Sequence, residues 1–223
     1  MIDLNKFSKT DQRFERKFII RELNNSEIVS ALYLSNYKLI KVFPNRLVNS
    51  IYFDNDIYDS VNQNLDGIND KIKFRVRWYG KKNIIQQPTL EIKIKKDFQS
   101  IKKNKSLNIL DPIEFNSASI NILTKRLKNI LSLNLKPVIS THYNRIYLNS
   151  NLYNIRSTLD YNLHYHNLNC FYKNNFQRYL NYKVLELKYK SIDENHLKEL
   201  AEFINIRATK SSKYINSYID QNI

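Results

Sequence analysis

Four cations at alternate positions make the stretch Lys71–Tyr79, KIKFRVRWY, the part of the chain best suited to binding chemistry. Read with a period of two, its basic and apolar side chains separate into two sets: Lys71, Lys73, Arg75 and Arg77 against Ile72, Phe74, Val76 and Trp78. Successive side chains of a strand point to opposite faces of a sheet, so the pattern predicts a strand with one cationic face. Guanidinium groups bind phosphate oxygens through a planar fork of donors, although a half-solvated surface strand carries the same pattern.

The same division into a charged and an apolar face recurs along the chain, and this recurrence argues against an ordinary surface strand. Further strands are predicted over Asp11–Ile20, Val48–Phe53, Thr89–Lys95, Pro137–Leu148, Arg156–Asp160 and Tyr182–Lys190. Lys95–Lys105 is predicted as a lysine-rich turn that returns as another short strand. Helices are predicted over Asn24–Ser35, with Asn25 or Ser26 as its cap, over Asp56–Leu65 and Ser117–Leu131, and after Asp193. The segment His164–Gln177 is predicted as a loop or hairpin, and Ser211–Ile219 closes the chain.

Composition limits the class of protein. The 223 residues are 42% hydrophobic, which is enough for a folded core, and the absence of a repeat or linker favours one domain over residues 1–223. The formal net charge of +15 indicates a polyanionic partner such as nucleic acid, an anionic membrane or a phosphate-rich molecule. With only 2 Gly, the chain lacks the glycine-rich loops of P-loop and dinucleotide-binding folds.

The single cysteine, Cys170, excludes an internal disulfide and disfavours a cysteine-based zinc site. The N-terminus has no apolar signal region, and no segment reaches the roughly 18 apolar residues that a membrane span needs. The expectation is therefore a soluble, cytoplasmic protein without a membrane span.

Strands with one charged and one apolar face fit two architectures. In an open sheet the charged face meets solvent, whereas in a closed barrel with helices outside it the charged faces line the bore. The excess of cations, the use of arginine and the small number of helices favour the barrel, whose bore would need bound anions to offset its charge repulsion. The predicted fold is thus α+β, with a closed antiparallel β-barrel and helices packed outside.

Eight short motifs follow one another in the order found in a known family. They are RFERKF (Arg13–Phe18), SIYFD (Ser50–Asp54), KFRVRWYG (Lys73–Gly80), LEIKIK (Leu90–Lys95), YNRIY (Tyr143–Tyr147), RSTLD (Arg156–Asp160), LELKY (Leu185–Tyr189) and SKY (Ser212–Tyr214). In this order the chain resembles the VTC domain, the polyphosphate polymerase domain of the triphosphate tunnel metalloenzyme (CYTH-like) superfamily.

The resemblance implies an eight-stranded tunnel enzyme that transfers the γ-phosphoryl group of ATP to a growing polyphosphate chain with the help of Mn²⁺ or Mg²⁺. It implies these phosphate-binding residues: Lys17, Arg75, Arg77, Lys93, Arg145, Arg156 and Lys213. Lys95, Lys102 and Lys188 are added to this predicted set. Among them, the resemblance implies a catalytic role for Arg75, Arg77, Lys93, Arg145 and Lys213. Glu186, assisted by Glu15, would bind the metal, and the choice of Lys102 over Lys103 is open.

Other interpretations remain open at this point. The same tunnel serves a triphosphatase or polyphosphatase, or a protein that binds polyphosphate without catalysis. Nucleic-acid binding is the main alternative of another class, since single-strand binders combine basic patches with aromatic residues. Nucleic acid is nevertheless not the expected partner, because the aromatic residues of Lys71–Tyr79 lie mostly opposite its cations. Glu91 is a candidate partner for Lys93, and Asp160 is interpreted as a structural or supporting acid beside Arg156. His164 and His166 could share one face of a strand, although they are interpreted as loop residues.

Overall fold

The computed structural model of the protein describes residues 8–9, 14–96, 99–168, 177–190, 194–209 and 211–222. Arg13, Cys170 and the predicted helix cap Asp193, which the sequence analysis named, lie outside these ranges. Within them, no helix is long and apolar enough to cross a membrane.

Strands dominate the described chain. The elements of the first half are β1 (Ser8–Lys9), β2 (Phe14–Ile20), α1 (Asn25–Leu34), β3 (Leu39–Asp54), α2 (Asp59–Leu65), β4 (Lys71–Tyr79), β5 (Ile84–Ile85), β6 (Thr89–Lys96) and β7 (Gln99–Ser106). The elements of the second half are β8 (Ile113–Glu114), α3 (Ser117–Leu131), β9 (Lys136–Ser150), β10 (Arg156–Asn167), β11 (Gln177–Tyr179), β12 (Lys183–Tyr189), α4 (Glu194–Phe203) and α5 (Lys213–Asn222).

The main sheet has ten antiparallel strands. Its path runs β1-β7-β6-β4-β3-β9-β10-β12-β2, with β11 paired to β10 outside this path. The predicted closed, eight-stranded barrel is not confirmed, because no ladder between described strands joins β1 to β2 at the two ends of the path. Both end strands come from the same N-terminal segment, so only residues 10–13 of the chain separate them.

The apolar faces of the strands lie under helices, as the alternation predicts. Val76 and Trp78 of β4 are fully buried in a cluster with Leu123 and Leu127 of α3. A second cluster packs the apolar side chains of β2, β10 and β12 against α1 and α4: Phe18, Leu159, Leu185 and Leu187 with Ile28, Leu32 and Leu200. Burying one such side chain contributes about 1.5–3 kcal/mol, so these two clusters fix which face of the sheet is covered.

Helix α5 lies on the opposite, charged side of the sheet. The Tyr214 ring stacks on Tyr52 of β3, with ring centroids 5.0 Å apart and planes 5° from parallel. The Tyr214 hydroxyl donates a 2.8 Å hydrogen bond to the buried Asp54 carboxylate. This anchor places Lys213, the first residue of α5, against the charged face.

The ends of some helices and strands differ from the prediction. Asn24, rather than Asn25 or Ser26, caps α1, because its side chain accepts from Glu27 N while the Glu27 carboxylate accepts from Asn24 N. Strand β3 begins at Leu39 instead of Val48. The predicted hairpin over His164–Gln177 is in part regular, since β10 continues to Asn167 and pairs with β11.

Candidate functional site

Residues directly opposite each other on paired strands share one face of the sheet. The register therefore places most of the predicted phosphate ligands on one face, called the basic face below. It carries Lys17 of β2, Lys73, Arg75 and Arg77 of β4, Lys93 and Lys95 of β6, Lys102 of β7, Arg145 of β9, Arg156 of β10 and Lys188 of β12.

The sheet curls around this basic face. Six strand spacings separate β2 from β6 along the sheet path, which in a flat sheet would be about 29 Å. Yet the Glu15 carboxylate of β2 lies 3.5 Å from the Lys93 Nζ of β6. The segment before α5 joins the same enclosure, because Lys17 Nζ donates to the Ser211 carbonyl at 3.1 Å and Lys73 Nζ donates to Ser212 Oγ at 3.0 Å.

One ion-pair cluster on the basic face is centred on Asp160, whose side chain is fully buried. Arg145 donates to its two carboxylate oxygens at 2.6 and 2.8 Å, and Lys213 Nζ lies 2.5 Å from Oδ2. Burial acts to raise the pKa of Asp160, but the adjacent Arg145 and Lys213 hold it below its ordinary value. Asp160 is thus a structural anion, as predicted, although its partners are Arg145 and Lys213 rather than Arg156.

A second cluster is centred on Glu91, which is 6% exposed. Its Oε2 atom accepts from Arg75 at 2.5 Å, while Oε1 lies 2.7 Å from Lys102 Nζ and 3.2 Å from Arg77. The interpretation of Glu91 as a partner of Lys93 is wrong: Arg75, and not Lys93, stands opposite Glu91 in the β4–β6 ladder, and Lys93 reaches Glu15.

Glu15 and Glu186, the predicted metal ligands, are diagonal neighbours across the β12–β2 ladder. Each also has a lysine partner, because Lys17 Nζ lies 2.8 Å from Glu15 and Lys188 Nζ lies 2.9 Å from Glu186. Burial and the Glu186 charge act to raise the pKa of Glu15, but Lys17 and Lys93 outweigh them and lower it. Burial likewise opposes ionisation of Glu186, yet Lys188 and Lys17 hold its pKa well below the ordinary value. Both side chains are therefore carboxylates at neutral pH.

These two carboxylates fit one type of metal site. Mg²⁺ commonly takes one or two protein carboxylates and completes its coordination with substrate phosphates and water. Among the described residues, no group of three histidine, cysteine, aspartate or glutamate side chains is placed to hold a metal ion alone. The residues present fit a metal that binds together with a phosphate ligand, not a metal held by the protein alone.

Lys73 is a further cation of the basic face and was not among the predicted phosphate ligands. Burial and the charges of Lys17 and Lys93 lower its pKa to about 7, so the ammonium is held among like charges. A cation in this position gains stability from any anion that enters the enclosure. Its place in the alternation of β4 was the available signal, but alternation alone does not tell how deep a residue lies.

Several polar atoms of the basic face have no hydrogen-bond partner within the described parts of the chain. They are the buried Arg77 Nε, Ser50 Oγ and Thr141 Oγ1, which adjacent strands bring to neighbouring positions. A buried donor without a partner costs about 1–3 kcal/mol, so such groups indicate a ligand or water.

The remaining predicted ligands are more peripheral. Arg156, at the start of β10, is exposed, and Lys188 opposite it is 43% exposed while it contacts Glu186. Lys95 is half-buried two positions beyond Lys93, and Lys93 itself is 46% exposed. The strand register places nine of the ten predicted cations on the basic face, and α5 brings Lys213 to the same face. Some of these cations are buried, and others lie near the rim.

The histidines lie apart from this site, and their interpretation as loop residues is wrong. His164 and His166 belong to β10 and pack against His142 of β9, with ring centroids 5.2 and 5.7 Å from it. The cluster lies beside Trp78, which belongs to the apolar side of β4. Burial is the largest cause that lowers the pKa of all three, so they are neutral near pH 7.

Similar solved structures share this fold. A proposed adenylate cyclase from Bacillus halodurans is 14% identical, with a TM-score of 0.54 over 92% of this chain and 96% of that one. A proposed adenylate cyclase from Vibrio parahaemolyticus is 13% identical, with a TM-score of 0.51 over 93% and 99% of the two chains. A protein from Pyrococcus horikoshii is also 13% identical, with a TM-score of 0.50 over 93% and 99%. A comparison with curated protein sequences gave no significant match.

The described strands form a curled antiparallel sheet, and cations line one of its faces. The profile of the VTC domain matches residues 12–219, so the chain belongs to the VTC domain family. The resemblance inferred from the eight short motifs is thereby confirmed.

Proposed function

We propose that the chain is a polyphosphate polymerase, which transfers the γ-phosphoryl group of ATP to the end of a polyphosphate chain on the basic face. The observation that carries this proposal is the enclosure itself. Arginine and lysine side chains from seven strands converge there, and four carboxylates, Glu15, Glu91, Asp160 and Glu186, are set among them. Crowded cations of this kind favour a ligand with many closely spaced negative charges.

In the proposed reaction, a terminal phosphate oxygen of polyphosphate forms a bond to the γ-phosphorus of ATP. The bond from that phosphorus to the β–γ bridging oxygen breaks, and ADP leaves. Such a transfer depends mainly on in-line positioning and on neutralising the charge of the phosphoryl oxygens. Arg75, Arg77 and Lys102 would bind one part of the phosphate chain, while Arg145 and Lys213 would bind the other.

A divalent metal, Mn²⁺ or Mg²⁺, would be held by Glu186 and Glu15, and when bound it would neutralise charge on the transferred phosphoryl group. The protein's own contribution is orientation. Arg145 is held by both oxygens of Asp160, which fixes the plane of its guanidinium group before the substrate arrives. Binding therefore loses little side-chain entropy at that residue.

The alternative is a triphosphatase with the same enclosure, in which water attacks instead of a phosphate oxygen. It is favoured by one observation, the exposure of Lys93 and Lys188 near Glu15 and Glu186, which leaves room for water beside the proposed metal ligands.

Purified protein with ATP and either Mn²⁺ or Mg²⁺, with and without a short polyphosphate primer, tests the proposal. We expect long-chain polyphosphate to form, with one ADP released for each phosphoryl group that is added to the polymer. Lys93→Met should lower the rate at least tenfold, while Lys125→Met, which removes an exposed cation of α3, should leave it unchanged. Release of orthophosphate without polymer would favour the triphosphatase, and absence of both products under all conditions would refute both enzymatic proposals.

A further inference from the structure

Large aromatic side chains are exposed at one end of the basic face. Phe43 of β3 is 52% exposed and Tyr79 of β4 is 42% exposed. They surround Arg46 together with the half-buried Tyr147 of β9. These four residues, Phe43, Arg46, Tyr79 and Tyr147, are called the aromatic rim below.

The contacts within the aromatic rim show a preformed set of flat surfaces. The Arg46 guanidinium carbon lies 5.6 Å from the Phe43 ring centroid and 5.7 Å from each of the two tyrosine centroids. Phe43 meets Tyr147 edge to face, with centroids 5.9 Å apart and planes at 89°. Nucleobases stack on aromatic rings and on arginine planes of this kind.

The aromatic rim is continuous with the buried cations. Arg46 stands opposite Arg145 in the β3–β9 ladder, and Arg145 lies 5.9 Å from the Tyr147 ring. On the other side, Arg77 approaches the Tyr79 hydroxyl at 3.5 Å. A molecule that extends from the buried cations toward solvent on this side therefore passes the three rings.

The spacing along β3 suits a nucleotide. Arg46 is four residues from Ser50, which stands opposite Arg77, and four strand residues span about 13 Å. A ribose and its α-phosphate fill such a span between phosphates beside Arg77 and a base beside Arg46. Inorganic polyphosphate has no π-face, so the rings would contribute nothing to binding it.

We propose that the aromatic rim stacks the base of a nucleoside triphosphate whose phosphates lie on the basic face. This inference rests on the proposed function, since it assumes that the basic face binds phosphates. Stacking tolerates any base because every base has a π-face, so the rim should distinguish nucleotides from inorganic phosphates more strongly than ATP from GTP.

The test compares binding of ATP and of inorganic tripolyphosphate, by calorimetry at low salt with Mg²⁺, for wild type, Phe43→Ala and Phe43→Trp. Phe203→Ala, which removes a 59% exposed ring from α4, is the matched control. Phe43→Ala should weaken ATP binding about 5- to 150-fold, the range measured for loss of one stacked base, with tripolyphosphate binding unchanged. Phe43→Trp should retain ATP binding, and Phe203→Ala should alter neither ligand.

Equal losses for both ligands, or no loss for ATP, would overturn the inference. A wild-type chain that binds both ligands but transfers no phosphoryl group would refute only the polymerase proposal, because the binding comparison does not depend on turnover. A wild-type chain that binds neither ligand would refute both.

Discussion

Glu91 offers the sharpest test of whether the basic face is built for an anion. Its carboxylate forms ion pairs with Arg75, Arg77 and Lys102, the three cations that are proposed to bind the phosphate chain. Glu91→Gln keeps the size and one acceptor but removes the charge. If the carboxylate stands in for part of the ligand, its removal should destabilise the free protein and strengthen phosphate binding.

The size of the loss follows from burial. The Glu91 side chain is 8% exposed and that of Arg77 is 9% exposed, and removing one partner of such a buried pair typically costs about 3–5 kcal/mol. Two circumstances reduce the cost at this site. Lys102 is 32% exposed and can turn to solvent, and the side-chain carbonyl of the introduced glutamine would still accept one hydrogen bond. We therefore expect the free energy of unfolding to fall by about 2–3 kcal/mol.

Bound tripolyphosphate should restore the free energy of unfolding that the Glu91→Gln variant loses. A ligand at 100 times its Kd stabilises the folded state by about 2.7 kcal/mol, and a fivefold tighter Kd in the variant would add about 1 kcal/mol at the same concentration. Urea unfolding followed by tryptophan fluorescence, with and without tripolyphosphate, measures both effects through Trp78. Glu22→Gln, which removes an exposed carboxylate outside the basic face, is the control and should change neither.

The reasoning would be refuted if Glu91→Gln were as stable as wild type without ligand. It would also be refuted if tripolyphosphate stabilised the variant less than it stabilises wild type. That second result would mean that Glu91 organises the arginines for the ligand rather than competing with it.

Two further predictions use other parts of the molecule. Asp160→Asn leaves Arg145 and Lys213 without their buried counter-ion. The free energy of unfolding in urea titrations should therefore fall by about 3–5 kcal/mol, which is more than the loss for Glu91→Gln. A loss equal to or smaller than that of Glu91→Gln would contradict the burial assigned to Asp160. Burial lowers the pKa of His166 to about 4. Below pH 6.5 the unfolded chain therefore binds more protons than the folded chain, and the free energy of unfolding should fall as the pH falls from 6.5 toward 4. After a discount for partial exposure, His166→Gln should reduce the stability difference between pH 7 and pH 5 by about 1–2 kcal/mol, and an unchanged difference would show that His166 titrates normally.

The strands and helices with strong periodicity could be predicted from sequence, some with identical bounds. Lys71–Tyr79 and Ser117–Leu131 match β4 and α3. In both segments the apolar period agrees with the burial that the fold later imposes, so local and tertiary preferences point to one structure. The start of β3 was missed because residues 41–46 are all exposed there and show no apolar alternation.

Pairings within the site could not be predicted, because they depend on register and curvature. Glu91 meets Arg75 only through the alignment of β4 with β6, and Lys213 meets Asp160 only because Tyr214 anchors α5 beside β3. A shift of one residue in the pairing of a strand would send its side chains to the other face of the sheet, and no local pattern indicates which register is adopted. The sequence therefore predicts the set of cations but not their partners.

The four carboxylates of the basic face fall into two classes that suggest different roles. Glu91 and Asp160 are each bound by arginine and by a lysine from another element, and both are almost completely buried. In the absence of a phosphate ligand, releasing either would leave arginine charges uncompensated, so neither is suited to bind a metal during a reaction. Among the residues that the structure describes, the ion-pair partners of Glu15 and Glu186 are lysines, and these lysines are partly exposed. A lysine ammonium on a flexible stem can move to solvent at little cost, which frees the carboxylate for a cation that arrives with the substrate. The division into arginine-bound and lysine-bound acids thus supports Glu186 and Glu15 as the metal ligands, and it supports Glu91 and Asp160 as the fixed anions that offset the charge of the phosphate-binding arginines.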